Sequence, residues 1–164
     1  MFGRFYPDEY RVSSYVLPYQ ELYEKGYRGI IFDIDNTLVP HGAPADKRAV
    51  KLFEKLKEIG FSSCLLSNNK EYRVKSFNET IQTNYIFDGG KPSPKNYRKA
   101  MALMGTDTTN TLFVGDQLFT DIWGAKRTGI YSILVKPIHP HEEIQIVLKR
   151  YLERIVLFFY RRSR

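Results

Sequence analysis

Ile30-Ile31-Phe32 runs without a break into Asp33-Ile34-Asp35-Asn36-Thr37-Leu38, and this junction constrains the chain more than any other stretch. An uninterrupted run of β-branched and aromatic residues reads as a strand covered on both faces, of the kind a parallel sheet contains. Side chains two apart on extended backbone point the same way. Asp33 and Asp35 can therefore project together from the carboxyl end of that strand. Like charges this close repel, and burying them without a partner is costly. A divalent cation and a phosphate chemistry would justify the pair.

The same rhythm recurs along the chain. A strand is predicted over 29–34, then a helix over 45–59 with apolar Val50, Phe53, Leu56 and Ile59 at helical spacing and Gly60 as its stop. A strand over 61–66 ends at the turn-forming cluster Ser67-Asn68-Asn69. A helix over 71–79, a short strand or turn over 85–87 and a loop over 89–94 follow, with Pro92 and Pro94 opposing helix in the loop. A helix over 97–104, a strand over 111–114 running into Gly115-Asp116, a helix over 121–127 and a strand over 131–135 complete the series. Residues 1–28 read as aromatic and polar, with only a short helix around Leu22 and Tyr23.

Strands alternating with helices predict an α/β domain with a mostly parallel sheet. Ligands bind such sheets at the carboxyl ends of the strands. Asp33, Ser67 and Asp116 each follow a predicted strand at that end.

Composition narrows the setting. With 164 residues the chain suits one domain, and 43% hydrophobic residues exclude a disordered one. The net charge of +7 suits anionic partners. The one cysteine, Cys64, sits in an apolar run and excludes an internal disulfide framework. No apolar run reaches the ~18 residues of a spanning helix, and the N-terminus lacks the apolar core of a signal peptide. The expectation is a cytoplasmic protein, free or peripheral to a membrane.

Four loops gather the polar chemistry. Carboxylates come from Asp33, Asp35, Asp116 and Asp121, a hydroxyl from Ser67, amides from Asn68 and Asn69, and a cation from Lys91. Oxygen-only ligands suit Mg²⁺, with Asp33 and Asp116 the best candidates. A phosphoryl group would bind between the metal, Lys91 and the Ser67 hydroxyl. His41, His139 and His141 lack zinc spacing.

Asp33-Ile34-Asp35-Asn36-Thr37, Ser67 after an apolar strand, Lys91-Pro92, and Gly115-Asp116-Gln117-Leu118-Phe119-Thr120-Asp121 occur in the order of the four motifs of the haloacid dehalogenase (HAD) superfamily. The resemblance covers roughly residues 28–137, and four motifs in order are far more specific than one. It is greatest to the YqeG-like subclass IIIA phosphatases, through the fourth motif, Gly129, Val135-Lys136-Pro137-Ile138 and the leading Phe5-Tyr6-Pro7-Asp8-Glu9-Tyr10. Gly90 before Lys91 departs from that pattern.

The resemblance implies a three-layer, Rossmann-like HAD fold and a phosphomonoesterase that forms an aspartyl-phosphate. Asp33 would be the nucleophile and Asp35 the acid and base. Asp33, the Asp35 carbonyl and Asp116 would hold Mg²⁺. Ser67, Asn68 and Lys91 would bind phosphate, with Thr37 and Asp121 in support. An acid at Asp35 fits a leaving alkoxide that must be protonated, and so a phosphatase rather than a dehalogenase. Relatives of this group include the mitochondrial phosphatidylglycerophosphatase, which implies a lipid phosphate as substrate.

Only about 30 residues separate Thr37 from Ser67, and about two dozen separate Ser67 from Lys91. Neither gap holds a cap domain, so an open site and a large substrate are expected. Ile144, Val147, Leu148, Tyr151, Leu152, Ile155 and Phe159 recur at helical spacing among Lys149, Arg150, Arg154, Arg161, Arg162 and Arg164. This predicts a basic amphipathic helix over about 141–164 that either packs on the sheet or a dimer partner, or lies on a membrane. Competing readings are a phosphatase for a soluble sugar or nucleotide phosphate, and a non-catalytic module binding RNA or ribosome-associated factors. No RNA-binding motif supports the last.

Overall fold

The computed structural model describes residues 2–139 and 144–164, with backbone alone at 144 and 145. His141 lies outside the described residues. Among the described residues six strands form one sheet: β1 (Glu9–Arg11), β2 (Gly29–Phe32), β3 (Ser62–Leu66), β4 (Asn84–Ile86), β5 (Thr111–Gly115) and β6 (Tyr131–Val135). Their order across the sheet is β1-β6-β5-β2-β3-β4, and every pair is parallel. The expected mostly parallel sheet is therefore wholly parallel.

β1 is the element the pattern concealed. Three residues of mixed polarity carry no periodicity. Glu9–Arg11 becomes a strand only because β6 offers an open edge, pairing Tyr10 with Leu134. The segment is also anchored through Asp8, which accepts hydrogen bonds from the Ser132 amide and hydroxyl.

Helices cover both faces. They are α1 (Tyr19–Glu24), α2 (Lys47–Ile59), α3 (Glu71–Ile81), α4 (Pro94–Met104), α5 (Trp123–Thr128) and α6 (Ile144–Arg162). β2 shows how its sequence dictates the layers. Ile30 and Phe32 face one core with Leu52, Phe53 and Leu56 of α2 and Phe77 of α3. Ile31 faces the opposite core with Tyr97 and Met101 of α4. Alternate residues of one apolar strand thus bury against both layers.

Helix boundaries follow the expected signals. Asp46 caps α2 by accepting from the Ala49 N–H at 2.8 Å, and Gly60 ends it at φ +118°. Pro94, expected to oppose helix, instead opens α4 behind the Ser93 cap. Proline is tolerated in the first turn because its missing N–H would have no partner there. The predicted helix over 121–127 starts earlier, as a π-helical turn from Leu118 to Ile122 that leads into α5.

The sheet order creates the site. From β2 the chain moves outward through β3 to β4, then returns to β5 on the other side of β2. The connections thus depart in opposite directions between β2 and β5. The crevice at such a switch point lies outside the strands' carboxyl ends. Asp33 and Asp116 follow those two strands. Between β2 and β3 lies one helix, α2, and between β3 and β5 lie α3, β4 and α4. Neither segment carries a cap domain.

Candidate active site

β2 ends at Phe32, two residues short of the predicted boundary, and the chain then turns sharply. Asn36 takes the left-handed conformation at φ +61°, which asparagine tolerates better than most residues. The Asn36 N–H donates to the Val39 carbonyl at 2.7 Å, closing the turn. The two aspartates therefore leave the strand in different settings rather than as a parallel pair.

Asp33 is buried and faces Lys91, whose Nζ lies 2.8 Å from Asp33 Oδ1 and 2.6 Å from Asp121 Oδ1. Thr37 Oγ1 donates to Asp116 Oδ1 at 3.0 Å and lies 3.4 Å from Asp33 Oδ2. Asp33, Asp116 and Asp121 offer carboxylate oxygens within 4.8 Å of one another. Asp121 does not cap a helix with its side chain. Its Oδ2 accepts from the Asp116 and Gln117 amides at 3.1 Å each. Gly115 makes that approach possible, because a Cβ there would sit 2.5 Å from Asp121 Oδ2. The turn bearing Asp121 is pinned by Tyr97, whose hydroxyl lies 3.0 Å from the Thr120 carbonyl and 2.9 Å from that of Asp121.

Charge in this cluster does not balance. Three carboxylates face two cations, Lys91 and Arg150, and nearly all are removed from water. Burial and the neighbouring Asp121 charge push Asp33 well above the usual carboxylate range, only partly offset by Lys91. The same causes push Asp116 up to about 6, offset in part by Arg150. Burial alone would lower Lys91, but Asp121 and Asp33 hold it firmly protonated. An excess of buried carboxylate oxygen over cation is the donor set a hard divalent ion fits.

Asp35 sits differently. Its Oδ1 accepts from the Gly42 N–H at 2.7 Å and from Arg73 Nη2 at 2.9 Å, and its Oδ2 from Asn69 Nδ2 at 2.8 Å. Burial works to raise its pKa, but the Gly42 donation, the Arg73 charge and the Asn69 bond outweigh it and leave it lowered. The Asp35 side chain is thus outside the carboxylate cluster.

Ser67 Oγ accepts from the Asn69 N–H at 3.0 Å. Asn68 brackets the Lys91 backbone, accepting from its N–H at 2.8 Å and donating to its carbonyl at 3.2 Å. That places Asn68 as a clamp on the lysine loop. Asp33, Asp35, Ser67, Asn68 and Lys91 line one cavity of about 210 Å³, together with His41, Ile146 and Lys149. Trp123 packs edge-on against Phe5.

Three contributors escaped the sequence reading. Arg73 lies in α3, with no motif to mark it. Arg150 and Glu153 come from α6: Arg150 Nη2 lies 2.5 Å from Asp116 Oδ2, and Glu153 accepts from the Leu118 N–H at 2.9 Å. A basic helix offers several arginines of equal appearance, and only the tertiary contact selects Arg150.

Residues 89–138 match a family model described as HAD-hydrolase-like. The chain is 35% identical over 160 residues to the Bacillus subtilis protein named "Probable phosphatase YqeG", spanning 97% of this chain and 93% of that one. It is 26% identical over 156 residues to "Phosphatidylglycerophosphate phosphatase 1" of Arabidopsis thaliana, spanning 89% of this chain but 44% of that one. Its fold is similar to that of a HAD-superfamily hydrolase from Ehrlichia chaffeensis, with TM-score 0.56 at 15% identity over 78% of this chain and 97% of that one. Motif order, sheet order and a full-length relative agree: the chain belongs to the haloacid dehalogenase superfamily and, within it, to the YqeG-like phosphatases.

Proposed function

We propose that the protein is an Mg²⁺-dependent phosphomonoesterase that acts on a lipid phosphate, phosphatidylglycerophosphate, at a membrane surface. The observation that carries the phosphatase reading is the buried cluster in which Lys91 joins Asp33 to Asp121 beside Asp116. Asp33 and Asp116, with the Asp35 carbonyl, would hold the ion, and Asp121 would set Lys91 and the loop bearing Asp116. When bound, the ion supplies positive charge against the phosphoryl oxygens and balances the excess carboxylate.

The chain's own residues then divide the work. Asp33 attacks phosphorus, forming an aspartyl-phosphate as the bond to the leaving oxygen breaks. Lys91 and Ser67 bind the phosphoryl oxygens and offset their spread charge. Asp35 in its protonated form donates to the leaving alkoxide. It then takes a proton from the water that cleaves the acyl phosphate, restoring the Asp33 carboxylate and releasing phosphate. The Gly42, Asn69 and Arg73 donors favour the ionised Asp35 that the second step needs. Thr37 and Asn68 hold Asp116 and the lysine loop in place.

The lipid substrate is supported by the site's size and by the plant relative's name. A cavity of about 210 Å³ is below the range that encloses a drug-sized ligand. It takes a phosphoryl headgroup and leaves the rest of the molecule outside. With no cap domain, that remainder is not enclosed. Among the described residues no helix is long and apolar enough to cross a membrane, so a lipid would be met at a surface.

The test is phosphate release from detergent-dispersed phosphatidylglycerophosphate with Mg²⁺, beside a panel of sugar phosphates and nucleotides. The lipid should be preferred, and Asp33→Asn should lower turnover by about 10⁴-fold or more. A preference for small soluble esters would remove the lipid assignment. Wild-type activity in Asp33→Asn would remove the nucleophile.

A further inference from the structure

α6 has two apolar faces where a packed helix needs one. Val156 is buried in a cluster with Leu118, Ile122, Leu134 and the N-terminal aromatics, and Tyr160 is buried with its ring 5.3 Å from that of Tyr6. On the other side, Leu148, Tyr151, Leu152, Ile155, Phe158 and Phe159 are each 45–64% exposed. At 100° per residue these six fall within about 120° of arc, a continuous stripe. They are six of the ten large hydrophobics exposed among the described residues, so the stripe is not the ordinary scatter of apolar surface.

We propose that this stripe docks α6 on an anionic lipid bilayer, and that docking holds the catalytic mouth within about one helix diameter of the stripe. Charge selects the occupant. Within Ile144–Arg162 stand Lys149, Arg150, Arg154, Arg161 and Arg162, against the single acid Glu153, which is buried. Arg162 stacks 4.3 Å from the Phe158 ring and Arg154 lies 5.3 Å from that of Tyr151, so cationic groups border the stripe itself. A second copy set against this face would bring arginines toward arginines with no exposed helix acid between them. A bilayer with anionic headgroups accepts the leucine, isoleucine and phenylalanine side chains while lipid phosphates receive the arginines.

The opposite side of the same helix reaches the site. Ile146 and Lys149 line the catalytic cavity, and Arg150 holds Asp116. A helix lying in the interface therefore orients the site on its inner side, about one helix diameter, roughly 10 Å, from the stripe. This orienting role rests on the lipid-phosphate reading, whereas docking stands without it.

The experiment is co-sedimentation of the full chain with phosphatidylglycerol or phosphatidylcholine vesicles. It compares wild type, Ile155→Asp/Phe158→Asp and Arg154→Glu/Arg162→Glu. Turnover of p-nitrophenyl phosphate and sedimentation equilibrium are measured on each. Wild type should bind phosphatidylglycerol vesicles and bind phosphatidylcholine weakly. Each double variant should lose roughly tenfold or more in binding, with soluble-ester turnover within about twofold of wild type. Absence of binding, binding that both variants retain, or a dimer that the aspartate variant dissociates would overturn docking. Vesicle binding without hydrolysis of phosphatidylglycerophosphate would remove the substrate and the orienting role but leave docking in place.

Discussion

Asp33 and Asp35 stand one residue apart in environments that push them in opposite directions. Burial and the nearby Asp121 charge raise Asp33, while Gly42, Arg73 and Asn69 overcome the burial of Asp35 and lower it. The opposite shifts put the two carboxyls in different electrostatic settings, and an ion bound beside Asp33 would supply the positive charge that keeps it ionised for attack. Arg73 is the adjustable part of this setting. Arg73→Ala should raise the Asp35 pKa and shift the alkaline limb of kcat/KM, which needs protonated Asp35, to higher pH. A pH–rate profile of the variant checks it, and an unmoved limb would separate Arg73 from Asp35. The residues with motif spacing were legible in the chain. Arg73 was not, because its meeting with Asp35 depends on how α3 packs against the turn after β2.

At the scale of the element, the turn after β5 shows how a helix fault becomes a site. Five residues from Leu118 to Ile122 wind as a π-helix, which brings the Asp121 carboxylate back over the Gly115–Gln117 backbone. Gly115→Ala should force that carboxylate off Lys91. We expect roughly 10²-fold lower turnover and a loss of about 1–3 kcal/mol of stability. Turnover and urea unfolding measure the two, and unchanged turnover would mean that Asp121 need not approach so closely. The helix period predicted an ordinary α-helix from Asp121, since side-chain periodicity carries no sign of a wider turn. Strands β2 to β6 were legible in chain order, β4 as a short strand or turn. β1 was not, because its reason to exist lies on β6.

At the scale of the molecule, the cluster links stability to pH and metal. Asp116 is pushed from 3.8 up to about 6 in the fold. A raised carboxylate contributes its stability fully below the unfolded value and loses it as pH rises through the folded one. Metal-free protein should therefore lose on the order of 3 kcal/mol between about pH 4 and pH 6 from this group. Mg²⁺ competes with those protons, so it should raise Tm more at pH 7 than at pH 5. Thermal melts with EDTA or Mg²⁺ at both pH values test this. An equal rise would detach the ion from these carboxylates. What the chain determined alone is the alternation of buried strands and helices and the placing of an aspartate, serine or lysine at the strand ends. Those are local facts, set by hydrophobic period and turn residues. The tertiary structure decided which cations meet which carboxylates, and that α6 serves the core, the site and the outer surface at once. Such matters depend on the relative placement of segments 30 or more residues apart along the chain, and no local period encodes it.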